Sequence, residues 1–290
     1  MVYNHYKVPV GQRVSLNDYH PDETRPFREK TDAQEDLAAS IEKLSRYQDV
    51  LYAQDTYALL IIVQAMDAAG KDSVIKHVMS GVNPQGCQVY SFKAPSSEEL
   101  DHDFLWRCMK NVPERGRIGI FNRSYYEETL IVRVHPEILQ GQRIPADEKG
   151  EGIWKKRFED INNVERYLTR NGVVILKFFL HVSKQEQKKR FLERIDTPEK
   201  NWKFSFADVK ERGHWEKYMK AYEEVFRHTS TEWAPWYIVP ADHKWFTRAA
   251  VADIIIDRLK SLDLHYPTLS VSRQEELRKA KEELAKEEEN

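Results

Sequence analysis

The sequence predicts an α/β fold, a three-layer α/β/α sandwich around a parallel sheet, on three observations. Short apolar, β-branched runs recur at Ala58–Ala65, Val89–Lys93, Ile118–Phe121, Val173–Leu180 and Trp236–Val239. Longer amphipathic or charged stretches at 71–80, 97–110, 153–170, 183–195 and 206–228 separate them and read as helices. The runs are also nearly continuous in hydrophobicity, which strands covered on both faces require and half-exposed strands do not. Right-handed crossovers then put helices on both sides of the sheet.

Taken in order, residues 1–31 carry Pro9, Pro21 and Pro26 without sustained periodicity and read as an irregular arm. From Thr31 and Asp32 to about Gln54, apolar residues fall at Leu37, Ile41, Leu44, Tyr47, Val50 and Leu51. Those three- and four-residue steps mark one face of a helix. The first strand follows directly. The main domain is expected over 32–265, with a lid at about 183–228. Residues 266–290 end in SRQEELRKAKEELAKEEEN, which reads as a charged, solvated helical tail.

Composition narrows the function classes. Apolar residues make up 41% of the 290 and charged residues 32%, so a disordered or low-complexity chain is excluded. Lys plus Arg number 45 against 47 Asp plus Glu, a net charge of −2, which argues against a wholesale nucleic-acid binder. Cys87 and Cys108 are the two cysteines and form no C-x-x-C pair, so free thiols are expected. The N-terminus lacks a signal-peptide core, and no apolar run approaches the ~20 residues of a membrane span. The expected location is the cytoplasm, with no membrane and no nucleic acid as partner.

The first strand runs into QAMDAAGKDSVIKHVM. A strand, a short turn, Gly-Lys and a helix are the parts of a phosphate-binding loop. Its backbone N–H groups and the helix N-terminus hold phosphate oxygens, and its lysine adds positive charge. The fit to G-x-x-x-x-G-K-[ST] is partial: Gly70 and Lys71 match, Ala65 replaces the first glycine, and Asp72 precedes Ser73. Ala68, Ala69, Gly70, Lys71, Asp72 and Ser73 are the expected phosphate cradle. Asp67 puts a carboxylate inside it. A divalent cation would neutralise that charge; contact with an acceptor phosphate or hydroxyl, or capping of the following helix, are the other readings.

The third strand ends in GIFNRSYYEETLIVRVHP. Asn122 and Arg123 stand where parallel sheets bind ligands, at the carboxyl edge of a strand. Asn122 is a neutral and weaker metal ligand than an aspartate. Arg123 can grip a phosphate bidentately, and Arg133 follows nearby. Residues 181–220 hold eleven Lys/Arg against seven Asp/Glu. Arg190 and Arg194, four apart, share a helix face there, and Lys200 and Lys203 extend the charge into a loop. A basic helical hairpin of this kind is the lid of a small-molecule kinase.

MDAAGKD, FKAPSSEELDHDFLWR, GIFNRSYYEE with VRVHP, KFFLHVSKQEQKKRFLER and STEWAPWYIVPADHKWFTR, in that order, resemble the polyphosphate kinase 2 family from about residue 30 to 262. The resemblance implies a thymidylate kinase-like P-loop fold with a helical lid. It also implies phosphoryl transfer between inorganic polyphosphate and a nucleotide, with magnesium as the metal and manganese as an alternative. By position, Asp67, Lys71, Arg123 and Arg133 match the family's catalytic set. Arg190, Arg194, Lys200 and Lys203 fall on the lid as polyphosphate contacts. Lys93, Arg107, Asn122, Arg123 and Glu127 are the expected nucleotide contacts, and Asp67 and Asn122 the expected metal ligands. FNRSYYEE looks like the subgroup that accepts both AMP and ADP, with GMP and GDP as further candidates, and a homo-oligomer, dimer or tetramer, is expected. Two other readings stay open: an ATP-dependent nucleoside monophosphate kinase, and a non-catalytic polyanion-binding module.

Overall fold

In the computed structural model, which describes residues 3–150 and 152–287, five strands form one parallel sheet in the order β2-β3-β1-β4-β5. They are β1 (Ala58–Ala65), β2 (Cys87–Ser91), β3 (Ile118–Asn122), β4 (Val173–His181) and β5 (Trp236–Pro240). β1 pairs with β3 from Leu59 opposite Ile118, and with β4 from Ala58 opposite Val173. Every residue of β1 and of β4 is buried, as their unbroken apolar sequence requires.

The helices of eight or more residues are α1 (Lys30–Gln54), α2 (Lys71–Val78), α3 (Ile153–Arg170), α4 (Lys184–Asp196), α5 (Trp215–Thr229), α6 (Lys244–Lys260) and α7 (Val271–Glu287). α6 packs on α1 and α2, while α3 packs on β4 and on α5, which gives the sheet its two helical layers. The sequence reading passed over α6, although it buries ten residues from Phe246 to Leu259. It is apolar nearly all round, so its one-sided periodicity is weak.

The stretch 97–110 is not one helix but two short turns, Ser97–Leu100 and Trp106–Met109. The break has a local cause. Asp103 accepts the backbone N–H groups of Leu105 (2.9 Å) and Trp106 (3.2 Å), competing with a continuous helix at that point. Likewise 206–228 divides into a turn at Phe206–Glu211 and α5.

The N-terminal segment contains two short 3-10 turns and buries Tyr3, Tyr6, Val8, Val14 and Leu16 in the main core. The Val8 N–H donates to the Trp236 carbonyl at 2.9 Å, and Lys7 bridges Tyr237 antiparallel, so this segment covers the free edge of β5. α7 has no buried residue. Both cysteines are free thiols. No helix among the described residues is long and apolar enough to cross a membrane.

One polar network lies inside the core. Lys177 of β4 and Glu165 of α3 are both fully buried, 2.6 Å apart. Lys177 also donates to Tyr126 Oη (2.9 Å) and the Thr229 carbonyl (2.7 Å). Tyr125 and Tyr126 donate to Glu165 at 2.9 and 2.8 Å. The buried charges are therefore satisfied, and the network fixes the two tyrosines that precede Glu127.

Candidate active site

The central strand β1 ends at Ala65 and the chain turns through Met66–Gly70 into α2. The turn is left-handed at Ala68 (φ 61°) and again at Gly70 (φ 111°). Gly70 precedes the first helical residue, and a side chain there would be strained. Lys71 is buried, and its Nζ donates to the Ala65 carbonyl at 3.1 Å across the mouth of the turn. Burial pushes its pKa down, opposed chiefly by Asp67. Residues 68–73, expected as the anion cradle, form the turn and the first residues of α2.

The Asp67 carboxylate has a protein counter-charge. Arg123 follows β3 directly with φ 66°, and its N–H donates to the Val63 carbonyl at 3.0 Å. That left-handed residue sends its guanidinium back to Asp67, with Nη2 2.8 Å from Oδ1. A non-glycine residue held there is strained, and such strain concentrates at functional sites. Burial alone would lower the Arg123 pKa, but Glu127 and Asp67 outweigh it and hold it raised. Burial raises the Glu127 carboxyl, against Arg123 and Lys71. Asn122 donates to Asp72 at 2.8 Å, tying the end of β3 to the start of α2.

α4 closes the other side through residues of two kinds. Arg190 is 4% exposed and spends all five of its N–H donors on protein. Nε meets Glu186 (2.8 Å), Nη1 the carbonyls of Ala68 (3.1 Å) and Ala69 (2.7 Å), and Nη2 those of Ala241 (2.7 Å) and Asp242 (2.9 Å). Expected as a phosphate contact, it lies in this arrangement as a staple between the P-loop and the β5–α6 turn. Gln187 was not foreseen. Almost fully buried, it donates to the Asp67 carbonyl at 2.8 Å and accepts from Arg212 at 2.7 Å, linking the P-loop to the far arm of the lid. Ser73 Oγ accepts from Arg248 of α6 at 2.8 Å.

Together these elements enclose a cleft of about 610 Å³ at the carboxyl edge of the sheet. Eight cationic side chains line it, Lys71, Lys93, Arg123, Arg190, Arg194, Lys200, Lys203 and Lys244, against the carboxylates of Asp67, Asp72 and Glu193. Lys244 and Glu193 escaped the sequence reading. Lys244 opens α6, the helix that the periodicity did not reveal. Arg194 lies 3.9 Å from Asp208, while Lys200 and Lys203 stand exposed on the turn Pro198–Lys203.

Four expected site residues do not line the cleft: Ala69 is buried in the turn, Glu127 lies behind Arg123 and Lys71, and Arg107 and Arg133 lie elsewhere. Arg107 does not line the cleft: it donates to Glu99 (3.2 Å) and to the Lys93 carbonyl (2.6 Å), holding the segment that carries Lys93. Arg133 lines a different cavity, beside α5. For a metal, Asp67 and Asp72 are the carboxylates at the P-loop, and Asn122 has only its carbonyl oxygen free of the contact to Asp72. No group of three or more His, Cys, Asp and Glu converges among the described residues. One or two carboxylates completed by phosphate oxygens are nevertheless what magnesium takes in phosphoryl-transfer sites, and this donor set fits that pattern.

Comparison with known proteins gives the chain's family. The chain is 53% identical over 283 residues to the ADP-polyphosphate phosphotransferase of Rhodopseudomonas palustris, covering 97% of this chain and 98% of that one. It is 43% identical over 263 residues to the AMP/ADP-polyphosphate phosphotransferase of Meiothermus ruber, covering 90% and 94%. The crystal structure of polyphosphate kinase 2 from Arthrobacter aurescens superposes with a TM-score of 0.83 at 42% identity, over 93% of this chain and 94% of the other. With the family model for polyphosphate kinase 2 matching residues 28–267, the chain belongs to the polyphosphate kinase 2 family.

Proposed function

We propose that this chain transfers a terminal phosphoryl group between inorganic polyphosphate and an adenine nucleotide, ADP or AMP, in the P-loop cleft. The observation that carries the proposal is the charge inventory of that cleft: eight cations converge on a P-loop whose own carboxylate is neutralised by Arg123. Bringing two polyanions end to end demands such a density of positive charge. The relatives support the same reading, since one is named for ADP and the other for both AMP and ADP.

In this reading Lys71 and the α2 N-terminus hold the donor phosphate, and Arg123 spans donor and acceptor. Lys93, Lys200, Lys203 and Lys244 carry the rest of the chain. Asp67, with Asp72 and the Asn122 carbonyl beside it, would hold magnesium, which when bound would supply positive charge to the phosphate oxygens. Transfer is direct and in line, and no side chain need become phosphorylated.

The test offers AMP, ADP, GMP and GDP separately with polyphosphate and magnesium in the absence of ATP, followed by nucleotide chromatography. ATP from ADP, and ADP or ATP from AMP, is the expected result. No product from any acceptor, or product only when ATP is the donor, contradicts the proposal. Product from ADP alone removes AMP from it.

A further inference from the structure

The cavity that holds Arg133 carries an excess of positive charge. It measures about 520 Å³, within the range of small-ligand sites, and shares no residue with the P-loop cleft. Arg13 of the N-terminal segment, Arg133, and Lys217, Lys220 and Arg227 of α5 line it. Steps of three and seven along α5 keep its three cations on one helix face. Among the described residues none of the five forms an ion pair or a side-chain hydrogen bond.

Two carboxylates, Glu223 and Glu224, also line the cavity and offset the five cations only in part. Glu223 accepts the Leu16 N–H at 2.8 Å, and Glu224 lies 3.5 Å from His228. Arg133 is the most informative member. Its Nη1 is buried without a hydrogen-bond partner, and its guanidinium carbon lies 5.9 Å from the centre of the Trp154 ring. A buried guanidinium nitrogen with an unused donor is costly unless an acceptor arrives. Burial also depresses the Arg133 pKa, with Glu224 the opposing influence.

We propose that this cavity is a second phosphate-anion site, separate from the P-loop, taking a linear oligophosphate across Arg13, Arg133 and the cationic face of α5. A phosphate oxygen supplies the acceptor that Arg133 Nη1 lacks, and successive phosphates offset the repulsion among the other four cations. Inorganic polyphosphate and the phosphate tail of a nucleotide share this chemistry.

Calorimetric titration of the full chain with tripolyphosphate, and separately with ATP, tests the assignment and requires no turnover, so it stands or falls independently of the proposed reaction. Wild type is expected to take up a second equivalent of at least one probe. In the triple variant Lys217→Ala, Lys220→Ala, Arg227→Ala, whose three positions are exposed, that second event weakens about ten- to a hundredfold. The first event should persist, and the thermal midpoint should stay within about 2 °C of wild type. Loss with tripolyphosphate assigns the site to inorganic chains; loss with ATP alone assigns it to nucleotide-borne phosphate. A single equivalent of each probe in wild type, or unchanged isotherms in the variant, overturns the site.

Discussion

Around Gly70 most of the fixed charges already have hydrogen-bonded or ion-pair partners, whereas in the cavity beside α5 none of the five cations has one among the described residues. In the first cleft Arg123 meets Asp67, Asn122 meets Asp72, Lys71 reaches the Ala65 carbonyl, and Arg190 is wholly committed to backbone and Glu186. Such wiring fixes geometry before substrate arrives, which is what stabilising a transition state requires. The second cavity collects five cations on one helix, a short turn and a loop, with no comparable scaffold. That pattern suits attraction and retention of an anion more than chemistry upon it.

The largest effect that separates the two regions is expected at the P-loop lysine. Replacing Lys71 by Met should lower turnover about a thousandfold with the fold intact, as checked by steady-state rates and circular dichroism. The triple α5 variant should stay within about twofold of wild-type turnover at saturating donor. Equal losses in both would erase the distinction between the clefts.

Next in size is Arg190. Arg190→Lys keeps the charge but cannot bridge four carbonyls and Glu186 together. It should cost about 2–4 kcal/mol, a fall of roughly 4–12 °C in melting temperature, and turnover should fall with it because the P-loop loses its staple. A variant of wild-type stability with a selective rise in KM for polyphosphate would instead make Arg190 a direct phosphate contact.

Why the sequence revealed the first cleft better than the second follows from where the residues sit. Gly70, Lys71 and Asp67 lie in one turn between a strand and a helix, and Asn122 and Arg123 end a neighbouring strand, so a linear pattern records them. Strands β1, β3, β4 and β5 are nearly as plain, because burial on both faces keeps their runs mostly apolar, whereas the half-exposed edge strand β2 (Cys87–Ser91) begins two residues before the expected run Val89–Lys93. Gln187 and Lys244 act through contacts with residues 120 and more positions distant or through a helix without a one-sided pattern, and nothing local marks them. Arg133 stands close in sequence to Arg123, yet the short helical turns at 125–134 carry it to the other cavity. Proximity along the chain suggested a shared site, and the turn geometry separates them.

The smallest expected effect serves as a control remote from both clefts. Asp253 of α6 accepts from Ser40 Oγ at 2.7 Å, and burial, with Asp36 adding repulsion, lifts its carboxyl to about 6. A carboxyl raised in the folded state binds more protons than in the unfolded one between pH ~4 and ~6. Stability therefore falls as pH rises through that window. Asp253→Asn should remove this slope and raise the melting temperature at pH 7 by about 2–4 °C, about 1 kcal/mol, without changing turnover. Melting curves between pH 4 and 8 check it, and a slope that persists in the variant assigns the titration to another group.

The most direct measurement of the central claim follows ATP formation from ADP with polyphosphate as sole phosphoryl donor, comparing wild type with Asp67→Asn and Arg123→Ala. If the Asp67–Arg123 pair joins the P-loop to the acceptor side, wild type forms ATP and each variant loses at least a hundredfold in kcat while polyphosphate still binds. Wild-type kcat in either variant would mean that the phosphoryl group moves somewhere else in the molecule.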